Sequence, residues 1–151
     1  MQRRIGAGTY LLTMSFSMMV WSVLVILFCQ KLALPGLISP TQLNWGMSLI
    51  GAAFAVLFYP LSARRLRDLN FPAWTIRTLS FPLITIIILP LLCFLSGQRW
   101  ENDYGQQAPK SGLLKTLLAL AAFGIAVCSL YSALSIYFGT RALLAHAIRP
   151  S

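Results

Sequence analysis

Four long apolar runs, none of which contains a charged residue, constrain this chain more than any other feature. A helix needs about 20 residues to cover the roughly 30 Å hydrocarbon core of a bilayer. The runs predict four transmembrane helices with approximate bounds at residues 8–29, 43–61, 78–95 and 116–138. Each run must be helical, because backbone groups without hydrogen-bond partners are strongly destabilised in lipid.

The composition agrees with a membrane protein. Hydrophobic residues make up 58% of the chain and charged residues only 10%, whereas soluble domains average about 25% charged residues. A length of 151 residues suits one domain. We therefore predict a single membrane domain over residues 1–151, folded as an all-α bundle of four transmembrane helices.

The basic residues predict the orientation, because cytoplasmic loops carry an excess of Lys and Arg. With four crossings, one side of the membrane receives Arg3, Arg4, Arg64, Arg65, Arg67, Arg77, Arg141 and Arg149, and the other receives Lys31, Arg99, Lys110 and Lys115. This bias places both termini in the cytoplasm. The net charge of +9 indicates anionic headgroups as the partner. Nucleic acid is not expected, because no basic folded domain is present to bind it.

The third run has two possible interpretations, because it contains Pro82 and Pro90. Its 18 residues at 78–95 are close to the length of a span, so a full crossing is predicted. The alternative is a re-entrant hairpin that turns at Pro82. A full crossing would place the flanking loops on opposite sides of the membrane, whereas a hairpin would bring them together.

Small residues recur at helical spacing in two of the runs. The fourth run contains Gly124, Cys128 and Ser132, and the second contains Gly51 and Ala55. Small residues four apart let helices approach closely in lipid. The predicted role is packing between helices of this chain, and the alternative is a docking face for a partner, either another membrane protein or a second copy of this chain.

Residues that carry catalysis or bind metals are scarce. No apolar run contains an ionisable Asp, Glu, Lys, Arg or His, which argues against proton-coupled transport through a buried carboxylate. The one histidine is His146, and Cys29, Cys93 and Cys128 show no C-x-x-C spacing. We therefore expect no catalytic residue, metal site or cofactor.

A basic motif, Arg64-Arg65-Leu66-Arg67-Asp68, follows the second run. On a helix, Asp68 is spaced to pair with Arg64 or Arg65. Arg64, Arg65 and Arg67 are the predicted contacts to lipid headgroups, since a guanidinium fork matches phosphate. The predicted role of the motif is a basic collar at the membrane surface.

Two further segments complete the pattern. Asn70, followed by Pro72, predicts a helix start. Asn102-Asp103-Tyr104-Gly105 follows the third run, where Asn102 and Gly105 suit a tight turn and Tyr104 suits the membrane interface.

The chain resembles a family of small bacterial inner-membrane proteins catalogued as domain of unknown function 805. The resemblance lies in two motifs, the basic motif at Arg64–Asp68 and the turn motif at Asn102–Gly105, together with Arg4-Ile5-Gly6 before the first run. The resemblance covers residues 3–109 and implies location in the inner membrane. Arg67 stands where that family has histidine, and Asp103 where it has arginine. The family carries no established activity that could be transferred.

These observations predict a non-enzymatic accessory or structural protein that packs against other membrane proteins or anionic lipid. The alternatives are a small transporter or permeation subunit, which the prolines of the third run favour, and an enzyme that acts on lipid headgroups through the basic second loop.

Overall fold

A computed structural model describes residues 4–98, 100–106, 108 and 112–147. Arg3, Arg99, Lys110 and Arg149, which entered the orientation count, lie outside these residues, as does Pro109. All regular elements of the described chain are helical, and their bounds are α1 Ala7–Phe28, a π-helical continuation Cys29–Ala33, α2 Pro40–Asp68, a 3₁₀ helix Ala73–Ser80, α3 Pro82–Phe94 and α4 Leu113–Ala147.

The turn between α1 and α2 is specified by local capping signals. Gly36 has a positive φ of 75°, and the Leu37 N–H donates back to the Leu32 carbonyl at 3.1 Å, which is the glycine-terminated helix end. Ser39 and Gln42 then form a reciprocal capping box, with the Ser39 N–H to Gln42 Oε1 at 2.8 Å and the Gln42 N–H to Ser39 Oγ at 3.3 Å. The second helix therefore begins three residues before the predicted bound.

Within the described part of the chain, three helical segments are long and apolar enough to cross a membrane: Ala7–Ala33, Pro40–Asp68 and Leu113–His146. The predicted first, second and fourth runs fall within them. The third predicted span, at residues 78–95, is not confirmed. Its helix, α3, has 13 residues and is therefore about 20 Å long, well short of the roughly 30 Å core.

The third run contributes to a helical hairpin, in which the 3₁₀ helix Ala73–Ser80 is the first arm and α3 is the second. The hairpin turns at Ser80 and Phe81, and the Tyr59 hydroxyl on α2 donates to Ser80 Oγ at 3.2 Å. The backbone at the turn has partners: the Phe81 N–H bonds the Thr78 carbonyl at 3.2 Å, and Thr85 Oγ1 donates to the Leu79 carbonyl at 2.7 Å. Irregular backbone at membrane depth is tolerated where the protein supplies such partners.

The chain divides into two compact units. The first contains residues up to Ser15 together with Val56–Phe123, and so holds the hairpin and both sequence motifs. Within it, Lys115 Nζ donates to Thr9 Oγ1 at 2.8 Å, which joins the first turn of α4 to the first turn of α1.

The second unit contains Phe16–Ala55 and the chain from Gly124 onward. Its apolar core is formed by residues of α1 with its π-helical end, α2 and α4, namely Val25, Cys29, Ala33, Leu43 and Ala133. Gly46 permits close packing here, because an added Cβ would overlap the Phe28 ring. Trp21, which lies in the middle of a span, contacts Phe54 edge to face with ring centroids 6.3 Å apart.

Candidate functional site

The basic motif lies at the C-terminal end of α2, and Asn70 ends that helix. Asn70 has a positive φ of 60°, a conformation that asparagine adopts more readily than most residues. The Phe71 N–H bonds the Leu66 carbonyl at 3.0 Å, and the Asn70 N–H bonds the Arg67 carbonyl at 3.1 Å, as in a Schellman helix end. The prediction that Asn70 begins a helix is therefore wrong, because it terminates the preceding one.

The Asp68 carboxylate lies at the centre of a buried polar cluster. Its side chain is 2% exposed, and Oδ1 accepts a hydrogen bond from Arg4 Nε at 3.1 Å and lies 3.1 Å from Arg4 Nη2 in an ion pair. Oδ2 accepts from Arg65 Nη1, at the i,i+3 spacing on α2. Of the two pairings that the sequence left open, the structure contains the one with Arg65, and Arg64 is exposed instead.

Arg4 connects this carboxylate to the loop after α3. Its Nη1 donates to the carbonyls of Trp100 and Gly105, both at 3.0 Å. Its Nη2 donates to the Gln98 carbonyl at 2.8 Å and to the Asp68 carbonyl at 3.3 Å. All three guanidinium nitrogens are thus bonded to protein acceptors. Arg4 therefore holds the start of the chain, the end of α2 and the later loop together.

Arg65 caps the C-terminal end of α3. Its Nε donates to the Leu92 carbonyl at 2.8 Å, and its Nη2 donates to the Leu95 carbonyl. Its Nη1 also reaches the Ile5 carbonyl at 3.3 Å. The last carbonyls of a helix have no partner within it and carry partial negative charge, so a cation is favourable here.

The loop after α3 folds against the end of α2. Asn102 and Gly105 close a tight turn, with backbone bonds of 3.2 and 2.9 Å between them, and Gly105 has a φ of 113° that favours glycine. Asn102 Nδ2 donates to the Arg67 carbonyl at 2.9 Å. The Tyr104 hydroxyl donates to the Phe71 carbonyl at 3.1 Å.

Gly97 approaches the carboxylate so closely that no side chain fits. An added Cβ would collide with the Asp68 carboxylate, which its guanidinium partners hold in place. The next residue is fixed by its backbone, since the Gln98 N–H donates to the Asp68 carbonyl at 3.1 Å. Glycine is therefore required at 97 for the loop to close over the cluster.

This geometry corrects two sequence-based predictions. The two motifs were expected on opposite sides of the membrane, yet the Asn102 side chain bonds the Arg67 carbonyl directly. The Arg65 contact to headgroups is also wrong, because its side chain is fully buried and bonded to protein acceptors. Arg64 is exposed and Arg67 is half-buried, so their contact with headgroups stays a prediction.

The small-residue stripe of α4 does not make the predicted packing contacts within this chain. Gly124, Cys128 and Ser132 are all exposed, so packing within this chain is the wrong interpretation for them. The buried positions of α4 recur every seven residues, at Ala119, Ala126, Ala133 and Thr140. On α2, Gly51 and Ala55 are half-buried, and a Cβ added at Gly51 would meet nothing within 4 Å.

The polar atoms of the cluster are bonded mainly to other atoms of the protein. Beside it the Tyr10 hydroxyl and Ser62 Oγ lie 2.9 Å apart, both buried. Within the described part of the chain, no group of three His, Cys, Asp or Glu side chains is placed to hold a metal ion. The donors of Arg4 and Arg65 are directed at backbone carbonyls and one carboxylate, which fixes three segments against each other.

The roles of Arg4 and Gly97 could not be predicted from the spacing of residues in the sequence. Arg4 lies 64 residues from Asp68 and 101 from Gly105, so no local spacing relates them. The available signal was the presence of Arg4 in one of the three short family-like motifs.

The three motifs lie in a segment of the chain that matches a known protein family. The model of the family described as "Protein of unknown function (DUF805)" matches residues 1–106. This range contains the three motifs and ends before α4. No curated protein and no solved structure matches the chain. Since the match covers more than half of its 151 residues, the chain belongs to the DUF805 family.

Proposed function

We propose that this protein is a non-enzymatic accessory protein of the bacterial inner membrane, which packs against other membrane proteins. The observation that carries the proposal is the bonding of Asp68, Arg4 and Arg65. Their polar atoms bind one another and backbone carbonyls, so the family-like motifs act in holding the hairpin in place. An enzyme acting on headgroups would need such groups directed at a substrate.

The membrane topology that supports this role has three crossings, by α1, α2 and α4, and a re-entrant hairpin between α2 and α4. The hydrogen bond from Lys115 to Thr9 favours it, because α4 then begins on the side where α1 begins. An odd number of crossings places the termini on opposite sides, and so replaces the predicted cytoplasmic C-terminus.

The charge bias becomes stronger in this topology. One side now carries Arg3, Arg4, Arg64, Arg65, Arg67, Arg77, Arg99, Lys110 and Lys115, and the other carries Lys31, Arg141 and Arg149. With three crossings, nine basic residues lie on one side and three on the other, a clearer bias than the eight and four of the four-crossing topology. Under the positive-inside rule, the side with the motifs is therefore cytoplasmic.

The proposed docking face is the exposed stripe Gly124, Cys128 and Ser132 of α4. Residues two apart on a helix point about 200° apart, so Gly124 and Cys128 face away from the buried Ala126 between them. A Cβ added at Gly124 would meet nothing within 4 Å. Such a face suits close approach by a helix of another protein.

Cys128 provides a native position for testing this role. It is an exposed free cysteine, whereas Cys29 and Cys93 are buried. A photoactivatable cross-linker on Cys128, in a chain lacking the other two cysteines, should form an adduct of one defined mass in native membranes. Gly124→Leu should abolish the adduct, while Val127→Leu, at an exposed position off the stripe, should retain it. Adducts with lipid alone, or an adduct unaffected by Gly124→Leu, would contradict the proposal.

A small permeation subunit is the second candidate. The hairpin favours it, because irregular backbone at membrane depth lines substrate paths in transporters. Solute flux in liposomes that contain the purified chain alone would favour this candidate over the accessory role.

A further inference from the structure

One edge of the 3₁₀ helix is lined by exposed polar groups. A 3₁₀ helix has three residues per turn, so side chains three apart lie directly above one another. Trp74, Arg77 and Ser80 follow this spacing and are all exposed, whereas Leu79 is buried. We call these three residues the donor stripe.

Arg77 has no protein partner among the described residues, which show neither a hydrogen bond nor an ion pair to it. The chain has only three carboxylates besides its C-terminus. Asp68 is buried and bonded to Arg4 and Arg65, and Glu101 and Asp103 are exposed in the loop that follows α3. The exposed guanidinium of Arg77 therefore has no counter-ion among the residues that the structure describes.

The donor stripe offers hydrogen-bond donors to any group that approaches it. Arg77 presents the guanidinium fork and Trp74 an indole N–H, neither of which accepts hydrogen bonds. Ser80 Oγ accepts from the Tyr59 hydroxyl at 3.2 Å, so its own hydrogen remains available. A line of donors around one positive charge is complementary to an anionic oxygen group.

The surroundings of Arg77 indicate a ligand with apolar chains. Tyr59, which contacts the hairpin turn, precedes Asp68 by nine residues on α2, or about 14 Å. Arg77 precedes the turn residue Ser80 by about 6 Å along the 3₁₀ helix. The neighbouring apolar side chains are exposed, with Phe81 at 62% and Ile87 at 66%. An arginine at this depth extends its charged end back toward the headgroup layer.

We propose that the donor stripe binds the phosphate of an anionic phospholipid, with Arg77 as the charged ligand and the lipid chains along the exposed face of the hairpin. Arg77 and phosphate form bidentate hydrogen bonds in this arrangement. The lipid then fills the outer face of the hairpin, which Asp68 and its partners fix from the opposite end. The proposal rests on the re-entrant placement of the hairpin and does not require a protein partner on α4.

Native mass spectrometry of the full chain, released from nanodiscs of mixed phosphatidylglycerol and phosphatidylcholine, tests the proposal. Arg77→Gln should weaken phosphatidylglycerol retention about fivefold, the factor that about 1 kcal/mol per charge near an anionic surface gives. Arg77→Lys should keep most of the retention. Arg141→Gln is the matched control, because it removes an exposed arginine of α4 outside the hairpin and should leave retention unchanged.

Thermal unfolding of each variant checks that it is folded. Ser80→Ala is a second test variant: it keeps the charge of Arg77 and should reduce phosphatidylglycerol retention by a smaller factor. Equal retention by folded Arg77→Gln and wild type would overturn the proposal, as would equal losses in Arg77→Gln and Arg141→Gln. Competition by millimolar inorganic phosphate would indicate a soluble anion and overturn the lipid assignment. Loss of a co-purified protein with unchanged lipid would indicate an acidic protein partner, and would also overturn it.

Discussion

At the scale of single residues, the side chains of Arg4, Arg65 and Asp68 hold the start of the chain, the end of α2 and the loop after α3 together. Asp68 carries one negative charge between the two guanidinium groups of Arg4 and Arg65, and backbone carbonyls accept their remaining donors. Burying charges is costly, and the cost is offset here because each charge has a partner and most donors are satisfied. Removing the carboxylate alone would leave two buried cations without an anion.

Asp68→Asn should therefore lower the free energy of unfolding by about 3–5 kcal/mol, the usual effect of breaking a buried ion pair from one side. Thermal or denaturant unfolding in detergent measures this. Asp103→Asn is the matched control, because Asp103 is an exposed loop carboxylate and its change should stay within about 0.5 kcal/mol. If both variants unfold alike, the cluster does not stabilise the fold.

The sequence predicted part of this site. The i,i+3 spacing of Arg65 and Asp68 indicated a possible pair, and Asn102 with Gly105 indicated a turn, because both depend on neighbours in the chain. The contacts of Arg4 and the collision that excludes a side chain at Gly97 depend on residues far apart in sequence. A single sequence gives no spacing rule for such contacts.

At the scale of elements, α4 shows why small residues alone do not identify a packing face. The helix carries two stripes of small residues. In one, small residues recur every four positions from Gly124, and in the other they recur every seven positions from Ala119. Only the second is buried in this chain. Hydropathy does not distinguish the two stripes, because both consist of small residues within one apolar run.

Ala126→Leu should destabilise the fold by about 1–3 kcal/mol, since Ala126 is fully buried and a larger side chain overpacks its contact. Ala121→Leu is the control, because Ala121 lies on the same helix and is exposed. Unfolding of the two variants in the same detergent provides the comparison. Equal stability would mean that α4 does not pack through its seven-residue stripe.

The third apolar run shows the limit of a length criterion. Its 18 residues were enough for a span, but the segment before it contains Pro72 and Arg77, and Pro82 lies inside it. Proline lacks an N–H and suits the first turn of a helix, so α3 begins at Pro82 and the residues before it form a separate 3₁₀ helix. The acceptors at the end of α3 then need Arg65, a requirement that hydropathy does not reveal.

At the scale of the whole molecule, the proposed re-entrant hairpin determines which parts of the chain share a side of the membrane. With three crossings, the basic motif and the Asn102–Gly105 turn lie on the side of the N-terminus. The turn between α1 and α2, at residues 34–39, and the end of α4 lie on the other side. With four crossings, Glu101 would instead lie on the same side of the membrane as the turn between α1 and α2.

Single-cysteine labelling decides between these arrangements most directly. In a chain lacking Cys29, Cys93 and Cys128, separate cysteines would replace four exposed residues: Leu37, Arg64, Glu101 and His146. A membrane-impermeant maleimide should label Leu37→Cys and His146→Cys in intact spheroplasts, and should label Arg64→Cys and Glu101→Cys only after the membrane is opened. Labelling of Glu101→Cys in intact spheroplasts, with Arg64→Cys still protected, would contradict the re-entrant hairpin and with it the account of the buried cluster.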